Sequence, residues 1–139
     1  MSFELHPRLA ADTLIVGDAP LSRVLLMNDA QYPWAILVPR RLDAREIYLL
    51  AEPDQQQLWR ESAALSRALM TAFDGHKLNV AALGNVVPQL HLHHVVRTPE
   101  DSAWPGPVWG RLPPQPYAEA AAQARVGALR AHLRDLLLV

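Results

Sequence analysis

The sequence predicts an α+β protein: an antiparallel meander sheet of about five strands, one main helix packed on it and an amphipathic C-terminal helix. Three observations predict it. Short apolar runs, rich in Val, Ile and Leu, recur close together and are joined by brief polar turns, as in an antiparallel sheet. One long segment begins at Pro53 and carries Leu58, Ser62, Leu65, Leu69 and Phe73 at spacings of four, three, four and four, which is an amphipathic helical stripe. A second, over 116–138, repeats that spacing with Ala122, Val126, Leu129, Leu133 and Leu136. At 139 residues and 50% hydrophobic content, the chain suits one domain with a genuine core.

In chain order, residues 6–12 form a short helix or turn, with His6 before Pro7 at the surface. A strand over 13–18 ends in the Gly17-Asp18 turn, and a second over 22–28 stops at Asn28-Asp29. Tyr32-Pro33 leads into a third over 34–38, closed by Pro39-Arg40-Arg41. Asp43 caps a short helix running to Leu50. Pro53 opens the main helix, Asp54 in its first turn favours the dipole, and Asp74-Gly75 ends it. The fourth strand covers 78–83, and the fifth follows within 88–97 after the connection 84–88. Residues 101–110 hold Trp104 and Trp109 in a Pro/Gly frame, which suits an interface or a lid.

Composition narrows the partners. With 13 basic and 14 acidic residues, the net charge of -1 implies no broad polyanion-binding surface. Aromatic and basic residues do not interleave as nucleic-acid binding requires. Without cysteine there is no disulfide, thiolate zinc site or Cys nucleophile. No apolar run reaches membrane-spanning length, and residues 1–5 lack the basic and apolar regions of a signal peptide, so a cytoplasmic location is expected.

The fifth strand holds three of the six histidines. Alternation puts Gln89, His91, His93 and Val95 on one face and Leu90, Leu92, His94 and Val96 on the other. The second face is apolar, so His94 reads as a packed core ring with one satisfied nitrogen. Side chains two apart on the first face stand roughly 6 to 7 Å from each other. Two imidazoles in a row on an open face contribute little to folding; they are an arrangement for chemistry.

The run Gly84-Asn85-Val86-Val87-Pro88-Gln89-Leu90-His91-Leu92-His93-His94-Val95-Val96-Arg97 resembles the signature of the histidine triad (HIT) superfamily of nucleotide hydrolases and transferases, including its Hint and Fhit branches. The family pattern is His-φ-His-φ-His-φ-φ, with φ apolar, after a Gly-Gln-(Ser/Thr)-φ loop. Gly84 and Arg97 match, and His91 and His93 fall on the second and third histidines. Gln89 stands at the first histidine, Asn85 at the loop Gln and Val86 at the loop hydroxyl. The resemblance implies a HIT-like fold. It also implies a His91 nucleophile toward a nucleotide α-phosphorus, with His93 orienting the phosphate oxygens and Gln89 giving geometric support without relaying a proton. Gly84 and Asn85 become substrate-binding residues of the loop. Asn28 ends the second strand where the family places a ribose-binding Asp or Asn; simple turn chemistry explains it equally. The family often has a further His where Trp34 stands, so that supporting imidazole is missing. No metal or other cofactor is implied, and the expected partners are a small-molecule nucleotide and a second copy of the chain. The homodimer is expected because the 104–109 loop and the terminal helix exceed what one small sheet needs for cover. Two rival readings stand beside the enzyme: a non-catalytic nucleotide-binding or sensing homodimer, and a metal site built on His-x-His, which needs a third ligand.

Overall fold

The computed structural model describes residues 2–139. Its elements run α1 (Pro7–Asp12), β1 (Thr13–Asp18), β2 (Ser22–Met27), β3 (Trp34–Pro39), α2 (Glu52–Ala72), β4 (Lys77–Ala81), β5 (Leu92–Arg97) and α3 (Glu119–Ala131). All strand pairs are antiparallel, in the order β1-β2-β3-β5-β4. The first three strands form the predicted meander. The β4-β5 pair then joins with β5 inside, because β3 and β5 are buried along their whole length and can only occupy the centre.

Both faces of the sheet are covered. Val24, Leu26, Ala35, Leu37, Leu92 and Val96 meet Leu58, Leu65 and Leu69 of α2 and Val126 and Leu129 of α3. On the other face Leu25, Trp34, Ile36 and Val95 pack with Leu9 of α1 and with Ala103 and Val108 of the segment after β5. Helix α2 starts with Glu52, Pro53 and Asp54 and has no side-chain cap. It ends at Ala72, and Asp74, two residues on, takes the left-handed conformation at φ 50. A Cβ on the next residue, Gly75, would collide with Met70 and Val96.

Several boundaries differ from expectation. The 43–50 helix reduces to a single 3-10 turn over Ile47–Leu49, because Asp43 takes a left-handed φ of 55 and cannot begin a helix there. The C-terminal helix stops at Ala131; Leu133 stays buried and Leu136 packs against the core from turns beyond it. The last strand begins at Leu92, so Gln89, Leu90 and His91 precede it as irregular chain. Among the described residues no helix is long and apolar enough to cross a membrane.

Candidate functional site

Alternation along β5 puts His93 and His94 on opposite faces, as the sequence predicts, and His91, in the irregular chain just before the strand, lies beside His93; the face they share is not open. The two rings are 7% and 5% exposed, and their centroids lie 4.9 Å apart at an interplanar angle of 73°. His93 is covered by the segment after β5. Trp109 stands edge-on to His93, with centroids 5.5 Å apart, and edge-on to Trp34. The tryptophan-bearing loop is therefore used within the chain, as are Ala122, Val126 and Leu129 of α3. Neither is the spare apolar surface from which the homodimer was inferred.

Arg97 pins this cover. Its side chain is 1% exposed, forks onto both Asp101 oxygens at 2.8 and 3.0 Å, and donates to Asn79 Oδ1. Asp101 also accepts from the backbone N–H groups of Thr98, Ala103 and Trp104, which folds the loop back onto the sheet. Burial pushes the Asp101 carboxyl up, but the Arg97 hydrogen bond, the backbone N–H groups and the Arg97 charge outweigh it and hold it below the ordinary value.

His91 Nδ1 lies 2.7 Å from the Gln89 carbonyl. A carbonyl only accepts, so this nitrogen carries the proton and Nε2 keeps the lone pair. His93 Nδ1 accepts from the indole Nε1–H of Trp34 at 3.0 Å. Among the described residues neither Nε2 has a protein partner. Burial, with His91 and His94 as neighbours, pushes the His93 pKa down to about 3, so its ring is neutral at ordinary pH.

His94 points the other way and is fully buried. Its Nδ1 donates to the Leu92 carbonyl at 3.0 Å and its Nε2 accepts from the Ser62 hydroxyl of α2 at 2.8 Å. It is the core histidine the alternation predicts, with both nitrogens satisfied rather than one.

Gln89 is committed elsewhere. Its side-chain carbonyl accepts from the His6 N–H at 2.8 Å and its amide donates to the Glu4 carbonyl at 2.9 Å. The amide at this position ties the N-terminal segment to the chain entering β5.

Asn28 and Trp34 line a cavity of about 460 Å³, with Asp12, Met27, Trp109 and Leu112 among its walls. Asn28 Oδ1 also accepts from the Tyr117 N–H at 2.9 Å, so the residue has a turn-like anchoring role as well as a place in the wall. Gly84 and Asn85 lie elsewhere, in a depression shared with Arg45, Tyr48 and Leu49; Gly84 sits at φ 75, which its lack of Cβ permits. Among the described residues no group of three His, Cys, Asp or Glu could hold a metal ion.

Sequence reasoning treated Trp34 only as an absent imidazole and missed the grip of Gln89 on residues 4–6. It also missed Glu61, a fully buried carboxylate accepting from the N–H groups of Leu21 and Ser22. Glu61 does carry a signal, since it lies three residues after Leu58 and four before Leu65 on the apolar stripe.

The HIT domain model matches residues 8–100 of the chain. The chain belongs to the HIT family. Three solved structures resemble this HIT protein along nearly all its length. A histidine triad protein from Marinobacter aquaeolei VT8 is 55% identical, with a TM-score of 0.95, covering 98% of this chain and 99% of that one. A histidine triad protein from Bradyrhizobium japonicum is 49% identical, with a TM-score of 0.93 and coverage of 95% and 98%. A histidine triad (HIT) protein from Sinorhizobium meliloti 1021 is 38% identical, with a TM-score of 0.92 and coverage of 94% and 97%. No curated protein matches the chain. Family membership implies nucleotide ligands and a potential for hydrolase or transferase chemistry.

Proposed function

We propose that the chain is a nucleotide hydrolase or nucleotidyltransferase in which His91 attacks the α-phosphorus of a nucleoside phosphate conjugate. The observation that carries this reading is the Nδ1–H bond from His91 to the Gln89 carbonyl, which leaves the Nε2 lone pair without a protein partner. In the first step that pair forms an N–P bond while the bond from phosphorus to the leaving group breaks, and the leaving group departs with the pair and takes a proton from water. In the second, water attacks phosphorus, the N–P bond returns its electrons to Nε2, and the water proton passes to solvent. In transfer, an acceptor hydroxyl replaces the water. His93, neutral and beside it, orients the phosphate oxygens, and no metal takes part.

The cavity of Asn28, Trp34 and Trp109 has a volume suited to a nucleoside. Asn28 is assigned the ribose; Oδ1 holds Tyr117, so its amide group is the part that faces ligand. Gly84 and Asn85 are assigned to the phosphate by the resemblance of the loop. At Gln89 both side-chain polar atoms are engaged with the N-terminal segment, so that position supports geometry and supplies no proton. Substrates with good leaving groups are therefore favoured. A homodimer belongs to the proposal too, now on other grounds: Tyr48 and Val86 are 75% and 71% exposed, with Leu49 and Leu83 also open to solvent.

The test is incubation with a panel of adenosine phosphoramidates, followed by intact mass. A nucleotidyl adduct lost in His91→Ala supports the enzyme. Binding of AMP with neither adduct nor turnover transfers the assignment to a nucleotide-binding module. Light scattering at micromolar concentration decides the dimer, and a monomer there rejects it.

A further inference from the structure

We propose that Trp34 is a positioning residue of the histidine pair, whose indole N–H holds the His93 ring in the Nε2-protonated tautomer, opposite to that of His91. The inference deepens the proposed reading of the site, and only its kinetic arm rests on that reading.

An indole nitrogen is a donor with no acceptor capacity. At 3.0 Å from His93 Nδ1 it occupies that nitrogen's lone pair, so the single proton of the neutral ring stands on Nε2. His91 is set the other way, because its Nδ1 faces an acceptor-only carbonyl. Two rings 4.9 Å apart thus present unlike groups at their outer nitrogens: a lone pair on His91 and an N–H on His93. That is the division of labour a phosphoryl transfer uses, one group to attack and one to hold a non-bridging oxygen.

A histidine at position 34 could donate or accept and would let the pair exchange tautomers. Tryptophan removes that freedom. Its own position is held on several sides: Trp34 pairs with Val95 across the sheet, its ring centroid lies 6.3 Å from Tyr32 and 6.1 Å from Trp109, and it is 7% exposed. Protonating His93 at Nδ1 would set two N–H groups against each other in a buried site. His93 is therefore a fixed donor and not a proton shuttle.

The experiment reads the ring nitrogens of ¹⁵N-histidine-labelled protein by NMR at neutral pH, assigned by single His substitutions. In the parent, His93 should show a protonated Nε2 and a bare Nδ1, and His91 the reverse. Trp34→Phe keeps an aromatic ring but no donor, so His93 should begin to populate the Nδ1-protonated form. Trp34→His, which can donate again, should restore the preference in part. With a nucleoside phosphoramidate as substrate, Trp34→Phe should lower kcat by about 10- to 100-fold, the size of effect that misplacing a reacting group produces, and KM should rise as well because Trp34 also walls the nucleoside cavity. A parent His93 protonated on Nδ1, or a folded Trp34→Phe with parent-like ring signals, overturns the proposal. Should Trp34→Phe fail to fold, the parent spectrum alone decides. Opposite tautomers without any turnover would uphold Trp34 and sink the enzyme reading instead.

Discussion

His93 and His94 are neighbours on one strand, nearly equal in burial, and differ in almost everything else. The ring of His94 enters an apolar layer of leucines from α2 and α3, and the protein satisfies both its nitrogens through Leu92 and Ser62. The ring of His93 enters a layer of tryptophans beside a second histidine, and the protein satisfies one nitrogen only. Burial is therefore no guide to role here. The distinction lies in how many hydrogen-bonding groups the fold leaves over: none on the His94 ring, and Nε2 on the His93 ring.

The widest test of that contrast is at His91. His91→Ala should reduce turnover of an adenosine phosphoramidate by at least about 10⁴-fold, since the neighbouring His93 ring presents an N–H and not a lone pair in its place. Because the ring is buried, a modest loss of thermal stability should accompany it, and circular dichroism will show whether the fold survives. Residual activity near the parent level in a folded variant would end the nucleophile assignment.

His94→Ala should give the mirror image. Emptying a fully buried ring site is expected to cost about 2–4 kcal/mol in urea unfolding. The kcat of the folded fraction should stay close to the parent's. Loss of activity at unchanged stability would mean that the two faces have been assigned the wrong way round.

Acid is the next probe, because it acts on both faces at once. Burial lowers His93 to about 3, with help from its histidine neighbours, and lowers His94 to about 4 against its hydrogen bonds to the backbone. Unfolded histidine titrates near about 6.5, so below that pH the unfolded chain binds protons that the folded one refuses. The contribution is complete above about pH 6.5 and is lost as pH falls from there through the folded values. Urea midpoints should drop between pH 7 and 4, and His94→Asn should make that drop shallower. An unchanged slope in this variant would show that His94 is not held neutral.

The finest cut is Ser62→Ala. It leaves the His94 ring in place and removes the one donor to its Nε2, for an expected loss of about 1 kcal/mol with catalysis untouched. A larger effect on activity than on stability would couple the two faces, which the structure gives no reason to expect.

Periodicity decides what it physically encodes, and the sequence determined that much alone. Period two along β5 separated His94 from His91 and His93, and period 3.6 along α2 put Leu58, Ser62 and Leu65 toward the sheet. Both follow from backbone geometry within a few residues. The HIT pattern of residues 84–97 was legible for the same reason, being continuous in the chain. Tertiary structure decided everything that depends on what lies across a gap. That β5 takes a central place beside β3, that Trp109 closes over His93, and that Gln89 grips Glu4 and His6 all pair residues far apart in sequence. Trp34 shows the difference most plainly. Along the chain it reads as a missing imidazole. Across the sheet it is the hydrogen-bond donor to His93, because a side chain's chemistry is completed by its partner, and no local pattern names the partner.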